Sequence, residues 1–144
     1  MEMSMGLLGA LMAGILGGST PSPVETYTLP AIAGLWQIEL DDVHTCQERY
    51  NFGKNGKLNT TSAKEYTVGE YSFSYLENSP LPVLAVMTTQ DNNGIDCSGN
   101  QVDQTGESFA SFVKLDNKHS PTVMQWCADP QGNDCPVRLV RILP

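Results

Sequence analysis

The chain has 144 residues, 40% of them hydrophobic, enough for one domain with a core of its own. A formal net charge of −8 and an isoelectric point near 4.5 exclude a nucleic-acid binder that works through a basic footprint. The acid excess suits solubility, or attraction to a cationic partner.

Met5 to Gly18, MGLLGALMAGILGG, is an uncharged apolar run, shorter than the ~20 residues needed to span a bilayer. It has the length and small-residue ending of a secretory h-region. Glu2 stands where such a segment normally carries Lys or Arg, and in ILGGST Gly18 occupies the place of the lipidated cysteine of a bacterial lipoprotein box. The expectation is an exported protein of the periplasm or outer-membrane-anchored envelope, with residues 1–18 as a signal-like or anchoring segment. Residues 19–30, rich in Pro and Thr, form an extended linker, and the folded domain spans residues 31–144.

Beyond Ala31 no helical periodicity is sustained, and short alternating runs separated by turn residues dominate. Gly34–Asp41 is the first predicted strand. Thr45–Gly53 is the second, with Cys46, Glu48, Tyr50 and Phe52 on one face. Asn55-Gly56 within KNGK predicts a type I′ hairpin into the third strand, Lys57–Ser62. The fourth, Tyr66–Leu76, places Tyr71, Phe73 and Tyr75 on one face. After the break at NSPLP comes Val83–Gln90, then a long polar loop, Asp91–Gly106. Ser108–Leu115, Thr122–Ala128 and Pro136–Leu143 complete the set.

Eight strands joined by short loops, with one exception, predict an all-β, up-and-down antiparallel barrel of eight strands; a two-sheet sandwich is the alternative. In such a meander, successive loops alternate between two ends. Cys46, Cys97, Cys127 and Cys135 all fall in or beside loops of the end termed upper here. An even set without Cys-x-x-Cys spacing reads as two disulfides, with all three pairings open.

Gly34-Leu35-Trp36, ahead of a small antiparallel barrel, resembles the lipocalin and calycin group. The segments TCQERYNF, NGKLNTTS and NNGIDCSGN are similar to small bacterial envelope lipoproteins. The lipocalin resemblance implies that Trp36 plugs one end and that a basic residue of the last strand, Arg138 or Arg141, packs over it.

The acids collect at the upper end, as Asp41, Asp42, Asp91, Asp96, Asp103, Glu107, Asp129 and Asp134, whereas Lys54, Lys57, Lys118 and His119 lie at the lower. The acidic rim is thus a candidate docking surface for a cationic protein or peptide. Asp91-Asn92-Asn93-Gly94-Ile95-Asp96 lacks EF-hand spacing and reads as turn chemistry, so no metal or other cofactor is expected. Catalytic candidates are few. His44 and His119 fall at opposite ends, and a disulfide-bonded Cys46 is no nucleophile. Glu48, on the face of Tyr50 and Phe52, needs an arginine or tyrosine partner if that face is interior.

The expected function is that of a non-enzymatic envelope binding protein. Its interior would hold a small apolar ligand against Glu48, Tyr50, Phe52, Tyr71, Phe73 and Tyr75, or its acidic rim would bind a cationic protein. An inhibitor, immunity or assembly accessory protein would act in the second way. An enzyme using Glu48 ranks below both, and membrane contact is expected only through the N-terminal anchor.

Overall fold

Strict alternation of side chains lets a single short strand face both a core and solvent, and here eight such strands close on themselves. The computed structural model describes residues 31–39 and 46–144. The strands are β1 (Gly34–Ile38), β2 (Glu48–Phe52), β3 (Lys57–Ser62), β4 (Glu65–Ser74), β5 (Val83–Asp91), β6 (Ser108–Leu115), β7 (Val123–Cys127) and β8 (Val137–Leu143). Each pairs antiparallel with its neighbours in sequence, and β1 pairs with β8, so the sheet has no open edge. The predicted barrel is the one observed, with no helix among the described residues. Its interior at the lower end is filled by Trp36, Phe52, Leu58, Tyr71, Leu84, Val113, Met124 and Leu139, all buried.

The lower end is closed at the β1–β8 seam. Trp36 is completely buried, and its indole Nε1 donates to the Ile32 carbonyl at 2.8 Å. Arg141 pairs with Trp36 across the seam, and its guanidinium lies 4.5 Å from the ring centroid. The same guanidinium donates to the carbonyls of Pro121 (2.7 Å), Ala33 (2.8 Å) and Ala31 (2.8 Å). It therefore ties the entering chain and the β6–β7 loop to the tryptophan face. Arg138 does not take this part. It points outward at the other end of β8 and pairs with Glu39.

Gly34 makes room for this arrangement. A Cβ there would stand 2.6 Å from both Arg141 Nη1 and the Leu143 carbonyl, and its φ of +134° lies where L side chains are rarely found.

The structure corrects two local expectations. In the β2–β3 connection only Gly56 is left-handed (φ +85°), and Gly53 N donates to the Lys57 carbonyl at 2.8 Å. This is a three-residue loop with glycine at the bulge position, not a type I′ turn. Tyr75 is not an interior residue. β4 ends at Ser74, so Tyr75 has left the sheet. It is 55% exposed at the lower rim, with Lys118 Nζ 5.3 Å from its ring centroid.

The cysteines pair as Cys46–Cys97 and Cys127–Cys135, at sequence separations of 51 and 8. The first joins the start of β2 to the β5–β6 loop, and the second closes the β7–β8 loop.

Two outcomes follow from these constraints. Gly34→Ala is expected to lower stability by about 1–3 kcal/mol through the forced backbone strain; urea unfolding checks this, and an unchanged midpoint would refute the seam argument. Loop-closure entropy makes the longer bridge the stronger constraint on the unfolded chain. Replacing Cys46 and Cys97 by Ala should therefore cost about 1–2 kcal/mol more than replacing Cys127 and Cys135.

Candidate functional site at the upper mouth

The inward positions change character on the way up the barrel. Above the aromatic layers they become Glu48 and Tyr50 on β2, Thr60 and Ser62 on β3, Glu65 and Thr67 on β4, and Thr88 on β5. Together with Leu58, Gly69, Val86, Asp96, Gln104 and Phe109 they line a cavity of about 110 Å³. Drug-sized ligand sites run to ~300–1,000 Å³, so this one suits a small group. Its lower wall is set by aromatic packing. Trp126 meets Tyr50 edge-on, with centroids 5.1 Å apart, and lies 5.6 Å from Phe109.

Glu48 is firmly held. Tyr50 donates to one carboxylate oxygen at 3.0 Å and Ser62 to the other at 2.8 Å. The Ser62 hydroxyl in turn accepts the Cys97 N–H at 2.9 Å, so the Cys46–Cys97 bridge and the carboxylate share a support. The tyrosine partner expected for an inward-facing Glu48 is thus present. Burial, and then the Glu48 charge and hydrogen bond, push the Tyr50 hydroxyl well above its ordinary range.

Glu65 differs. Only 7% exposed, it faces Asp91 of β5, with Asp96 and Glu48 further off. Burial first, then Asp91 and the two other acids, push its carboxyl up to about 7. Burial alone would raise Asp91 as well. The backbone N–H groups of Gln104 (2.8 Å) and Asn93 (2.8 Å), with the Glu65 carboxyl, outweigh that and hold Asp91 below its usual value. In this pair, the proton resides on Glu65.

The predicted interior residues therefore divide. Glu48 and Tyr50 line the cavity, Phe52 and Tyr71 fill the core beneath it, and Phe73 is half-buried further down. Tyr71 is fixed there by donating to the Gly53 carbonyl at 2.6 Å.

The rim acids divide too. Asp91 and Asp96 stand at the mouth, where Asp96 accepts the N–H groups of Ser98 and Asn100 at 2.9 Å each. Asp103 accepts from Thr105. Asp129 accepts the N–H groups of Asn133 and Asp134 and organises the β7–β8 loop. That loop leans along the outer wall: Lys114 donates to the Gly132 carbonyl at 3.3 Å, and a Cβ on Gly132 would lie 3.2 Å from Leu81. Asp129 and Asp134 accordingly stand apart from the cavity. Asp41, Asp42 and His44 lie outside the described residues.

In the DNNGID segment, side-chain oxygens accept backbone N–H groups, including Tyr66 N and Gly94 N on Asn92 Oδ1. This is the turn chemistry expected of it, and no cluster of metal-ligand type occurs among the described residues. Glu65 is the site residue that sequence reasoning misses, because the predicted fourth strand starts at Tyr66, one residue after the observed one, and so leaves Glu65 in the loop. It shares parity with Thr67, Tyr71 and Phe73, the alternation that could have found it.

No protein-family model matches the chain, and neither a curated protein nor a solved structure is similar to it at a significant level.

The raised Glu65 value gives a signed prediction. The unfolded chain releases this proton near 4.5, and the folded protein near 7. Folding binds a proton between these values, so the contribution is complete below the window and is lost as pH rises through it. Glu65→Gln should leave stability little changed near pH ~4 and raise it near pH ~8, read as the difference in urea midpoint. Equal shifts at both pH values would sink this assignment.

Proposed function

We propose that this protein is a non-enzymatic binding protein of the bacterial cell envelope. It is a lipocalin-like barrel, tethered by its N-terminal segment from the lower end, that engages a cationic partner at its upper mouth. The observation carrying this reading is the chemistry of the cavity, which brings Glu48, Glu65 and Asp96 to one opening, with Asp91 hydrogen-bonded to Glu65. The Trp36–Arg141 stack supports the lipocalin-like part, and two disulfides are compatible with an oxidising compartment.

A small apolar ligand fits the interior less well, since the aromatic side chains offered for it mostly pack against one another. Phe52 meets Tyr71 edge-on at 5.0 Å, and the space above them is lined by acids and hydroxyls. Glu48 is committed to Tyr50 and Ser62, and Cys46 is bonded to Cys97, so both have structural work in a binding module. A protein that inhibits, neutralises or assists another by docking on its basic surface would use a face of this kind.

Calorimetric titration with an oligolysine peptide tests the reading. Asp96→Asn with Asp103→Asn retains an acceptor oxygen for each loop hydrogen bond while removing charge beside the mouth. Binding should weaken several-fold, and added salt should weaken it in the unmodified protein. Asp129→Asn with Asp134→Asn, on the outer wall, should have a much smaller effect. Equal losses from the two pairs, or no binding at low salt, would overturn the proposal.

A further inference from the structure

We propose that the lower rim of the barrel is a membrane-docking face, which sets its exposed apolar side chains into the headgroup region of a bilayer carrying anionic phospholipid. This rests on the reading of the chain as an envelope protein tethered from its lower end. It adds the folded domain itself to the membrane contact expected of the N-terminal segment alone.

The rim carries a continuous arc of interfacial side chains. Tyr75 and Leu76 in the β4–β5 connection and Ile142 and Leu143 at the end of β8 are all exposed. The β6–β7 loop joins the two pairs. Its Lys118 lies 5.3 Å from the Tyr75 ring centroid, and its Pro121 and Thr122 carbonyls accept from Arg141, the neighbour of Ile142. Tyrosine and lysine, each with an apolar body and a polar tip, suit the depth of the headgroups, and the aliphatic side chains add apolar area to bury. The arc is also backed by fixed groups. Tyr75 meets Phe73 edge-on at 5.7 Å, and Arg141 holds the β6–β7 loop in place, so docking costs little ordering.

Charge selects the occupant. At this end Asp116 accepts the N–H groups of Thr122 and Val123, and Glu70 pairs with Lys57 at 3.2 Å. That leaves Lys54 and Lys118, with His119 beside them, against Glu77 among the described rim residues. Ile95 and Val102 are exposed at the upper end as well, but on a segment that carries Asp91, Asp96, Asp103 and Glu107. An anionic surface therefore repels the upper end and accepts the lower. In a chain of net charge −8, this asymmetry orients the barrel before any side chain inserts.

The chain also delivers this end to the bilayer. Ala31 stands at the lower rim, where its carbonyl is held by Arg141 at 2.8 Å. Residues 19–30 reach roughly 40 Å at full extension, so an anchor in residues 5–18 keeps the rim within range of the surface. A tether of that length raises the effective concentration of the surface, and shallow contacts then suffice. Docked in this way, the barrel turns its cavity mouth away from the membrane and towards a partner.

The test is tryptophan quenching by brominated lipid, with the full chain on vesicles of phosphatidylcholine and phosphatidylglycerol or of phosphatidylcholine alone. Tyr75→Trp and Val102→Trp report from the lower and upper ends, each read against the unmodified chain with its own Trp36 and Trp126. Quenching is expected in Tyr75→Trp on the anionic vesicles, and it should fall on phosphatidylcholine alone and in added salt. Lys54→Gln with Lys118→Gln should weaken docking roughly thirtyfold, about fivefold for each lysine, and remove most of that quenching. Equal quenching at the two positions, stronger quenching in Val102→Trp, or quenching in Tyr75→Trp that survives both salt and the lysine changes would overturn the inference.

A second measurement needs no variant. Hydrogen exchange of the unmodified chain on the anionic vesicles should slow at residues 75–78 and 117–120 and stay unchanged at residues 97–104; the reverse pattern would also overturn the proposal. Chain that floats with the vesicles while Tyr75→Trp stays unquenched would reject the docking face and leave the tethered binding protein standing. Chain that floats with neither kind of vesicle would reject both.

Discussion

The contact on which the barrel depends is the guanidinium of Arg141 against the face of Trp36. A closed meander has one seam between its first and last strands, and here that seam is spanned by a side chain from each. Arg141 adds three carbonyl contacts that bring in the chain ahead of β1 and the β6–β7 loop. A desolvated cation–π contact contributes about 2 kcal/mol. Its larger consequence is geometric, because three separate backbone segments are fixed on one group at one end. With that end sealed, the opposite end holds the cavity.

The interior is accordingly graded. Aromatic and aliphatic side chains fill the lower and middle layers, where Phe52, Tyr71, Leu84 and Met124 exclude space for a guest. Higher up, the same inward parity delivers Tyr50, Thr60, Ser62, Glu65 and Thr67. Inward threonines and acids do little for a hydrophobic core, and their presence on three adjacent strands makes the upper layer a polar chamber. The gradient is continuous along single strands. β4 passes from Glu65 through Thr67 to Tyr71, so the site and the core that supports it are parts of one element.

Much of this was legible in the residues because alternation is a local rule. Lys57–Ser62 and Ser108–Leu115 occupy the predicted ranges, and the remaining strands differ at their ends. The end at which each cysteine lies also followed from counting strands, whereas the pairing required distances. Three features were out of reach for other reasons. Strand ends are set by pairing with neighbours, which placed Glu65 inside the sheet and Tyr75 outside it. The choice of Arg141 over Arg138 depends on parity in β8 and on its register with β1, since only Arg141 stands opposite Trp36. The lean of the β7–β8 loop comes from contacts with Lys114 and Leu81, distant in sequence, and it separates Asp129 and Asp134 from acids that looked equivalent to them.

The two ends are also held by different means. The lower closure is a guanidinium held among backbone carbonyls. The upper is organised by acids. Asp91 and Asp96 each accept two backbone N–H groups of the β5–β6 loop, and the Cys46–Cys97 bridge pins that loop near the Ser62 and Glu48 contacts. The loop over the mouth is therefore ordered without using Glu65. Glu65, buried beside that loop, instead shares a hydrogen bond with Asp91. Tight loops supply the walls of the upper chamber, and the sealed seam supplies its base.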